Sequence, residues 1–343
     1  ATQITNQEIG DDVENSLQLW LDATNSDKQA QSDGNSIKRW IDRSGNNHHV
    51  YQSNIDNQPT YEESSTSIKF GANGVNDYLT GGDILDVMTD ALTVFIVGKS
   101  NSGATNGTFI SKNRFGPGSS QYSVHIQSSA LNFLWRDSST TAAPIVDSSF
   151  NNQLNLISLV VSRNQFIETS LNGDSSRTSY TNMVLMDTNY KFLVGGYDGE
   201  SLNPRSEYFL NGNISEILMF KRALTEAEKN EIKRYLAAKW GLSISFSPTT
   251  KAELIEKLNS DGPVAGVPYY KANSPTQCGD INTWDTSKIN DMSNIFHTRA
   301  NFNCDISNWD VSNVTTMQWM FYDASSFNQD ISGWDVSNVE QIN

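Results

Sequence analysis

A repeat with a fixed period of 25 residues occupies the end of this 343-residue chain. Its clearest mark is a tryptophan followed by an aspartate in three successive copies, at Trp284, Trp309 and Trp334. Aspartate–isoleucine pairs, serines, branched aliphatic residues and phenylalanines recur in the same register. A short unit of this kind cannot bury its apolar side alone, so the copies stack on one another. The period therefore predicts a solenoid, which offers a surface for contact rather than a pocket for chemistry.

Both ends of the predicted solenoid carry further expectations. The third copy stops midway, at Asn343, whereas a terminal solenoid unit needs a polar cap. We therefore expect the chain to be a piece of a longer protein. At the other end, residues 250–259 form an amphipathic pattern with Leu254, Ile255 and Leu258 on one side. This pattern predicts a helix that covers the apolar start of the solenoid.

The chain contains two cysteines, and both belong to the repeat region. Cys278 lies two residues before Asp280 of the first copy, and Cys304 lies one residue before Asp305 of the second. Stacking would place them on adjacent turns of the solenoid, where a disulfide is geometrically reasonable. The alternative is two buried free thiols, while the spacing excludes a zinc site of the CxxC type. A disulfide would imply an oxidising compartment, outside the cytoplasm.

Charge and hydropathy exclude two classes of partner. The chain has 24 basic and 39 acidic residues, a net charge of −15 that is spread along its length. Nucleic-acid binding needs a basic patch, so we expect no nucleic-acid partner. The sequence also lacks a run of about 18 apolar residues, so we expect no membrane insertion. The excess of acidic residues is typical of a secreted protein that functions in salt and calcium. The alternative is that it only keeps the protein soluble.

Short apolar runs separated by turn clusters fill the first two thirds of the chain, which is typical of a β sandwich or barrel. The predicted strands are residues 17–21, 68–70, 92–98, 107–110, 122–126, 131–135, 156–162, 166–171, 191–195 and 212–220. One helix follows them: Thr225 and Glu228 form a capping box, and Gly241 ends the apolar stripe. We expect this helix to pack on the sandwich and close the first domain.

The first domain resembles the laminin-G-like, concanavalin-A-like jelly rolls of bacteria. The matching segments are residues 19–23, 37–47, 58–60, 68–71, 77–79, 211–217, 222–225 and 235–241. The fold class expected is therefore mainly β, a concanavalin-A-like jelly-roll sandwich with a C-terminal capping helix, followed by a small α/β solenoid of 25-residue repeats. The domains would be a lead-in (1–13), the jelly roll (14–244), the solenoid cap (245–277) and the repeats (278–343).

The repeats resemble the BspA-like leucine-rich type found in bacterial surface proteins. Residues 246–254 match the usual entry segment and residues 279–287 match the first unit, although Cys278 and Cys304 depart from the usual pattern. Both resemblances imply extracellular binding proteins, commonly within adhesins. We therefore expect an extracellular or cell-surface location.

The sequence does not predict an enzyme. Glycosidases need two carboxylates across a cleft, and the concanavalin-like hydrolases place theirs on one strand. Here Glu168 and Glu216 stand alone. His48 and His49 are adjacent, and adjacent strand residues point to opposite faces, so a shared metal is disfavoured against a turn or edge-strand pair. His125 and His297 have no nucleophile partner that the sequence can establish.

Two positions in the repeat have structural interpretations that we prefer. The tryptophan ladder could stack on sugars, but equivalent solenoid positions more often pack into the core, with each indole nitrogen bonded to a partner. The aspartate after each tryptophan is better suited to capping a turn than to binding a ligand.

Ligand binding is expected on the jelly-roll loops, because binding residues gather on loops that a rigid sandwich holds. The loop candidates combine aromatic faces, guanidinium groups and amides or carboxylates. The predicted ligand-binding residues are Arg114, Trp135, Arg136, Asp137, Tyr197, Asn203 and Arg205. A calcium site is predicted at Asp137, Asp198 and Glu200, since calcium takes carboxylate and carbonyl oxygens.

The function expected is extracellular adhesion or ligand binding. The jelly roll would bind a glycan or a protein on another cell or surface with calcium support, and the solenoid would act as a spacer or second binding face. One alternative is a carbohydrate-targeting segment of a larger secreted polysaccharide-degrading enzyme. The other is a purely structural spacer.

Overall fold

A computed structural model of the chain describes residues 11–24, 36–71, 76–86, 91–101, 106–112, 122–128, 130–136, 141–142, 145–147, 153–163, 165–179, 190–197, 208–242, 244, 248, 250–259, 278 and 281–342. The chain divides into two compact units. The first comprises residues 1–171 and 175–224, and the second comprises residues 172–174 and 225–343. The predicted boundary, at residue 244, lies 20 residues later, so the helix predicted to close the sandwich falls in the second unit.

The first unit is a sandwich of two antiparallel sheets, as predicted. The short helix α1 (Asp11–Ser16) precedes the first strand and buries Val13, although the pattern of the lead-in predicts no element there. The strands are β1 (Leu17–Asp22), β2 (Arg39–Trp40), β3 (Val50–Tyr51), β4 (Thr60–Glu62), β5 (Ser67–Phe70), β6 (Leu79–Gly82), β7 (Ala91–Ser100), β8 (Asn106–Lys112), β9 (Tyr122–Gln127), β10 (Ala130–Arg136), β11 (Thr141–Ala142), β12 (Ile145–Asp147), β13 (Asn155–Ser162), β14 (Phe166–Leu171), β15 (Asp174–Ser179), β16 (Phe192–Val194) and β17 (Gly212–Phe220).

One sheet has the order β15-β14-β13-β7-β17-β5-β4, and β1 also pairs with β17. The other has the order β11-β10-β9-β8-β16-β6-β3-β2, and β12 also pairs with β10. Alternate residues of both sheets meet in one apolar core, as the period of two along a strand requires. Representative members are Leu21, Phe70, Ile96, Phe109, Val124, Phe133, Leu159, Val194 and Ile217.

The second unit contains two helices and the stacked repeats. Helix α2 (Glu226–Trp240) begins at the predicted capping box, where the Thr225 and Glu228 side chains and backbones satisfy each other, and Gly241 ends it in the left-handed conformation. Helix α3 (Lys251–Asn259) buries Leu254 and Leu258 in the core of the repeats. That burial is what a cap on the start of the solenoid requires.

The repeats form coils of 25 residues, which we number from their aspartates: coil 1 from 280, coil 2 from 305 and coil 3 from 330. Within 281–342 they consist of turns, one 3-10 helix (Ile281–Thr283) and single parallel bridges. Those bridges join Asp291 to Thr316 and Thr316 to Gln341, positions one period apart. The stacking predicted from the period is therefore present, with bridges and turns in place of regular strands.

Candidate ligand-binding surfaces

The residues that resemble the jelly-roll signature form a closed hydrogen-bond network around Asp42. The buried Asp42 carboxylate accepts hydrogen bonds from the backbone N–H groups of Trp20, Ser44 and His48, each at 2.9 Å, and from the Ser44 hydroxyl at 2.8 Å. Arg43 pairs with Asp22 at 2.9 Å and covers the Trp20 ring. This network fixes the loop after β2 against β1. Its groups satisfy one another, so its role is structural.

The paired histidines serve the same loop. His48 Nδ1 lies 2.8 Å from the Gln18 carbonyl oxygen, and His49 Nδ1 accepts the Asp42 N–H at 3.0 Å. Both Nδ1 atoms thus contact the backbone, in keeping with the turn interpretation. Within the described part of the chain, no group of three or more His, Cys, Asp or Glu residues is arranged to hold a metal ion.

The isolated carboxylates considered for glycosidase chemistry are both engaged. Glu216 is fully buried on β17 and accepts the Trp20 indole N–H at 2.7 Å. Glu168 lies on β14 and accepts the Arg177 Nε–H at 2.9 Å. The two carboxylates therefore support the framework on separate strands.

A serine–histidine contact lies on β9. The sequence alone could not establish this partner for His125. Ser123 Oγ is 3.1 Å from His125 Nδ1, because residues two apart on a strand share a face. Both side chains are buried, and burial lowers the pKa of His125 to about 4. The imidazole is therefore neutral at pH 7. With Ser123 fully buried, the pair lacks the access that a nucleophile needs.

At one end of the nine-stranded sheet, β8 and β10 end and β9 begins. We call this end of the sheet the loop end. Register pairs Lys112 at the end of β8 with Tyr122 at the start of β9, and Tyr122 with Trp135 near the end of β10. Two of the predicted binding residues, Trp135 and Arg136, therefore lie on a strand that ends at the loop end. Arg114 and Asp137 lie outside the described residues.

At the loop end, the side chain of a buried lysine is surrounded by oxygen atoms. Lys112 is fully buried, and its Nζ lies 2.8 Å from Asp83 Oδ1, 3.2 Å from Asp86 Oδ1 and 2.9 Å from the Tyr190 carbonyl oxygen. Tyr122 donates its hydroxyl to the Leu85 carbonyl at 3.1 Å, and burial raises the pKa of this phenol. The ammonium neutralises a set of oxygens that would otherwise suit a cation.

Tyr197, one of the predicted ligand-binding residues, is described by the structure, and its role in binding stays a prediction. It is buried, and its ring packs against Tyr208 with the centroids 5.6 Å apart. The phenol ring is thus part of the packing instead of an exposed stacking face. Its apolar area explains the burial, since a ring of this size contributes most where water is excluded. The other candidates of this loop, Asp198, Glu200, Asn203 and Arg205, lie outside the described residues.

The tryptophan ladder belongs to the solenoid core, as predicted. Trp284 and Trp309 are buried and stacked with their rings 6.0 Å apart. The Trp309 indole donates to the Ile281 carbonyl at 2.7 Å, and the Trp334 indole donates to the Ile306 carbonyl at 3.2 Å. Each ring is therefore held from the coil before it.

The aspartates of the repeat cap turns, also as predicted. Asp285, Asp310 and Asp335 each accept the backbone N–H of the serine two residues later, at 2.9–3.0 Å. Asp305 and Asp330 do the same with Ser307 and Ser332. Those hydrogen bonds, from the backbone and side chain of the serine, lower the pKa of Asp305 and Asp330. The pattern Asp-x-Ser in this sequence is thus a turn device rather than a ligand set.

Cys278 and Cys304 form a disulfide, with Cα atoms 5.3 Å apart and a sequence separation of 26. The bond joins a residue just before coil 1 to the last residue of coil 1, next to coil 2. Cys304 is buried in the same apolar cluster as Trp284 and Phe302.

Among residues 281–342, an apolar groove and a turn that adjoins it through Tyr322 are accessible. A groove of about 630 Å³ lies between coils 2 and 3 and is lined by Met317, Met320, Phe321, Tyr322, Ile331, Ser332, Trp334, Val336 and Ile342. The other surface is a turn of coil 2 that exposes Trp319 and Tyr322. Sequence reasoning missed this turn. The signal was a tryptophan at a position where coil 1 has Asn294.

Comparison with known proteins gives one family match and several structural likenesses. The family described as "Mycoplasma protein of unknown function, DUF285" matches residues 268–343. The narrower resemblance to BspA-like repeats stays a prediction. No curated protein matches the chain. No described helix is long and apolar enough to cross a membrane.

The solved structures similar to this chain include binding domains of clostridial toxins. One is botulinum neurotoxin type C, whose cell entry is described as dependent on two ganglioside molecules: 13% identity, 66% of this chain, 52% of that chain, TM-score 0.45. The serotype D ligand-binding domain in complex with N-acetylneuraminic acid matches with 13% identity, 68% and 56% coverage and a TM-score of 0.48. The binding domain of Paraclostridial Mosquitocidal Protein 1 matches with 15% identity, 67% and 53% coverage and a TM-score of 0.47. This chain spans about half the length of these toxin chains.

Proposed function

We propose that this chain is an extracellular, non-catalytic binding region of a surface or secreted protein, and that its sandwich attaches to a glycan or protein of another cell or surface. The observation that carries the proposal is the loop end, where β8 and β10 end and β9 begins beside the buried ion pairs of Lys112. Binding loops work best on a fixed base, because a rigid framework limits the entropy lost when a ligand is held.

The base of the loop end is rigid for a specific electrostatic reason. The Lys112 ammonium is enclosed and has carboxylate partners on Asp83 and Asp86. A buried charge is costly unless its partners stay in place, so these contacts resist local opening. The Tyr122 hydroxyl adds a bond to Leu85 in the same segment. The loops that leave β8 and β10 thus start from fixed positions.

Calcium support is part of the same proposal. The oxygen cluster at the loop end already holds a cation, the Lys112 ammonium, so a calcium ion would bind elsewhere. Asp137, Asp198 and Glu200 are the residues we propose for it, as carboxylate ligands of a hard cation. The solenoid would serve as a spacer or second binding face.

A glycan array tests the proposal. The purified chain is applied in calcium and again in chelator, beside Trp135→Ala, Arg136→Ala and Asp198→Ala. We expect bound glycans whose signal falls in the two strand-end variants, and falls in chelator and in Asp198→Ala if calcium supports the site. Tyr51→Ala is the matched control, since Tyr51 is an exposed aromatic residue on β3, three strands from β8 in the sheet order.

Thermal unfolding of each variant shows whether it has kept its fold. A glycan signal that survives in folded Trp135→Ala and Arg136→Ala would overturn the loop end as the site. The absence of any bound glycan or immobilised surface protein would overturn the binding function itself and favour the structural spacer.

A further inference from the structure

The turn of coil 2 between Trp319 and Tyr322 exposes two large aromatic side chains together. Trp319 is 51% exposed and Tyr322 is 60% exposed, in a unit whose other repeat tryptophans pack into the core. The Tyr322 N–H bonds to the Trp319 carbonyl at 3.2 Å, which closes the turn. Large aromatic residues contribute most when buried, so their joint exposure marks a contact surface. We call this turn of coil 2, together with His297 of coil 1, whose ring stacks on that of Tyr322, the aromatic turn.

The backbone at Trp319 argues for a function because it is unfavourable for tryptophan. Trp319 has φ 53°, in the left-handed region. The equivalent residue of coil 1, Asn294, has φ 60°, so the coil geometry imposes this conformation at the position. Asparagine tolerates it, whereas a bulky residue there is an outlier. Strain of this kind is typically retained where a side chain is needed at a functional site.

The aromatic turn is held in advance of any ligand. The N–H groups of Asn294, Phe296 and Thr298 donate to the carbonyls of Gln318, Met320 and Tyr322 at 3.0, 3.0 and 2.8 Å. Coil 1 therefore clamps the turn through alternate residues. Because the turn is already ordered, binding a ligand costs little conformational entropy, and this favours affinity.

The equivalent positions of coil 1 keep some exposure although coil 2 stacks on them. His297, one period before Tyr322, is still partly exposed although coil 2 stacks on it, with the rings 5.1 Å apart and tilted by 14°. Asn294 is likewise exposed beneath coil 2. The positions of Trp319 and Tyr322 therefore lie on the outer side of the coil, as their equivalents do in coil 1.

We propose that the aromatic turn is a second binding site, for the neutral pyranose rings of a glycan. The apolar C–H face of a pyranose packs on an aromatic ring, and its hydroxyls need polar partners beside that ring. Gln318 and Asp323 adjoin the two aromatic residues in sequence, and Asp323 is exposed. This carboxylate and the net charge of −15 disfavour acidic sugars. The site goes beyond the sandwich function proposed above, although it shares the glycan class of ligand.

Titration with soluble neutral oligosaccharides tests the site in the intact chain. The probes are maltotriose, cellotriose, mannotriose and N-acetyllactosamine, with sialyllactose as the acidic counterpart, followed by calorimetry. The decisive variant is Trp319→Asn, because asparagine is the residue that coil 1 carries at this position. It removes the ring and relieves the backbone, so the variant should melt at the same or a higher temperature.

We expect at least one neutral probe to bind, sialyllactose to bind more weakly, and Trp319→Asn to weaken binding about tenfold or more, the equivalent of roughly 1.4 kcal/mol. Trp319→Phe should retain most of the affinity, whereas Tyr322→Ala should lose it. The control variant Tyr51→Ala, at an exposed aromatic residue of the sandwich, should bind the probes as the parent chain does.

Three results would overturn the site: no binding of any neutral probe, equal binding by Trp319→Asn and the parent chain, or preferential binding of sialyllactose. Binding that is lost in Trp135→Ala and kept in Trp319→Asn would reject the aromatic turn while supporting the sandwich site. The converse result would support the turn and has no bearing on the loop end, whose test is the glycan array, so the two proposals fail separately.

Discussion

Asp42 shows at the scale of one residue how a sequence signature can be structural. Its buried carboxylate satisfies three backbone N–H groups and one hydroxyl from two segments of the chain. An amide has only one oxygen to accept them, and its NH₂ group would face donors. We therefore expect Asp42→Asn to lower the free energy of unfolding by about 3 kcal/mol.

Chemical denaturation of the parent chain and the variant measures this effect. Asp56→Asn is the control, since Asp56 is exposed and should change the free energy of unfolding by less than about 0.5 kcal/mol. Equal midpoints for Asp42→Asn and Asp56→Asn would show that the network is not stabilising.

His125 predicts a dependence of stability on pH. Burial is the main cause that lowers its pKa to about 4 from the ordinary 6.5. Between these values the unfolded chain takes up a proton that the folded chain does not, so the free energy of unfolding falls as pH falls from 6.5 to 4. Because each pKa unit corresponds to about 1.36 kcal/mol, the free energy of unfolding falls by about 3 kcal/mol across this pH range.

Hydrogen exchange of β9, measured across this pH window and corrected for the intrinsic rate, reports the loss. His125→Gln removes the titrating group and should flatten the dependence. The pKa of His49 is lowered as well, first by burial, so a smaller slope of the same sign should remain. An unchanged slope in His125→Gln would reject this assignment.

At the scale of the element, Lys112 decides whether the loop end is rigid. Replacing it by methionine keeps the stem but leaves Asp83 and Asp86 without their buried cation. Because both carboxylates keep some access to water, we expect a loss of about 2 kcal/mol in the free energy of unfolding.

Lys69→Met is the matched control, because its pair with Glu62 is partly exposed on both sides and should cost less than about 1 kcal/mol. Adding Asp83→Asn and Asp86→Asn to Lys112→Met should recover part of the loss. If Lys112→Met is as stable as Lys69→Met, the base of the loop end is not held by this lysine.

The disulfide is the corresponding device in the repeats. It closes a loop of 26 residues across the first coil, and the chain-entropy estimate for such a loop is about 3 kcal/mol. Cys278→Ser combined with Cys304→Ser should therefore lower the free energy of unfolding of the second unit by about this amount. Hydrogen exchange in coils 1 and 2 measures it, with β13 of the sandwich as the internal reference. Unchanged protection in the coils would contradict the estimate.

For the whole molecule, the regular features were predictable and the short ones were not. β14 and β17 have the predicted bounds, because long apolar runs between turn residues have few alternatives. Strands of two or three residues, such as β2 and β11, are too short to show a period. They form because longer neighbours supply their hydrogen-bond partners.

The site was less predictable than the fold for a similar reason. Tyr197 packs against Tyr208, 11 residues later, a pairing that no periodic pattern in the sequence reveals. Trp319 was visible in principle, since a repeat shows when one copy departs from another. Its exposure and left-handed backbone, however, follow from how coil 2 lies on coil 1. Surface sites depend on such packing, whereas strands depend mainly on their own residues.

The central claim is that the whole chain binds a surface ligand without chemical change. The most direct measurement is retention of glycans by the immobilised chain, followed by mass spectrometry of what is eluted. We predict that one or more glycans are retained and recovered intact, with retention reduced in Trp135→Ala or Trp319→Asn. Recovery of cleaved products, or no retention by the parent chain, would contradict the account.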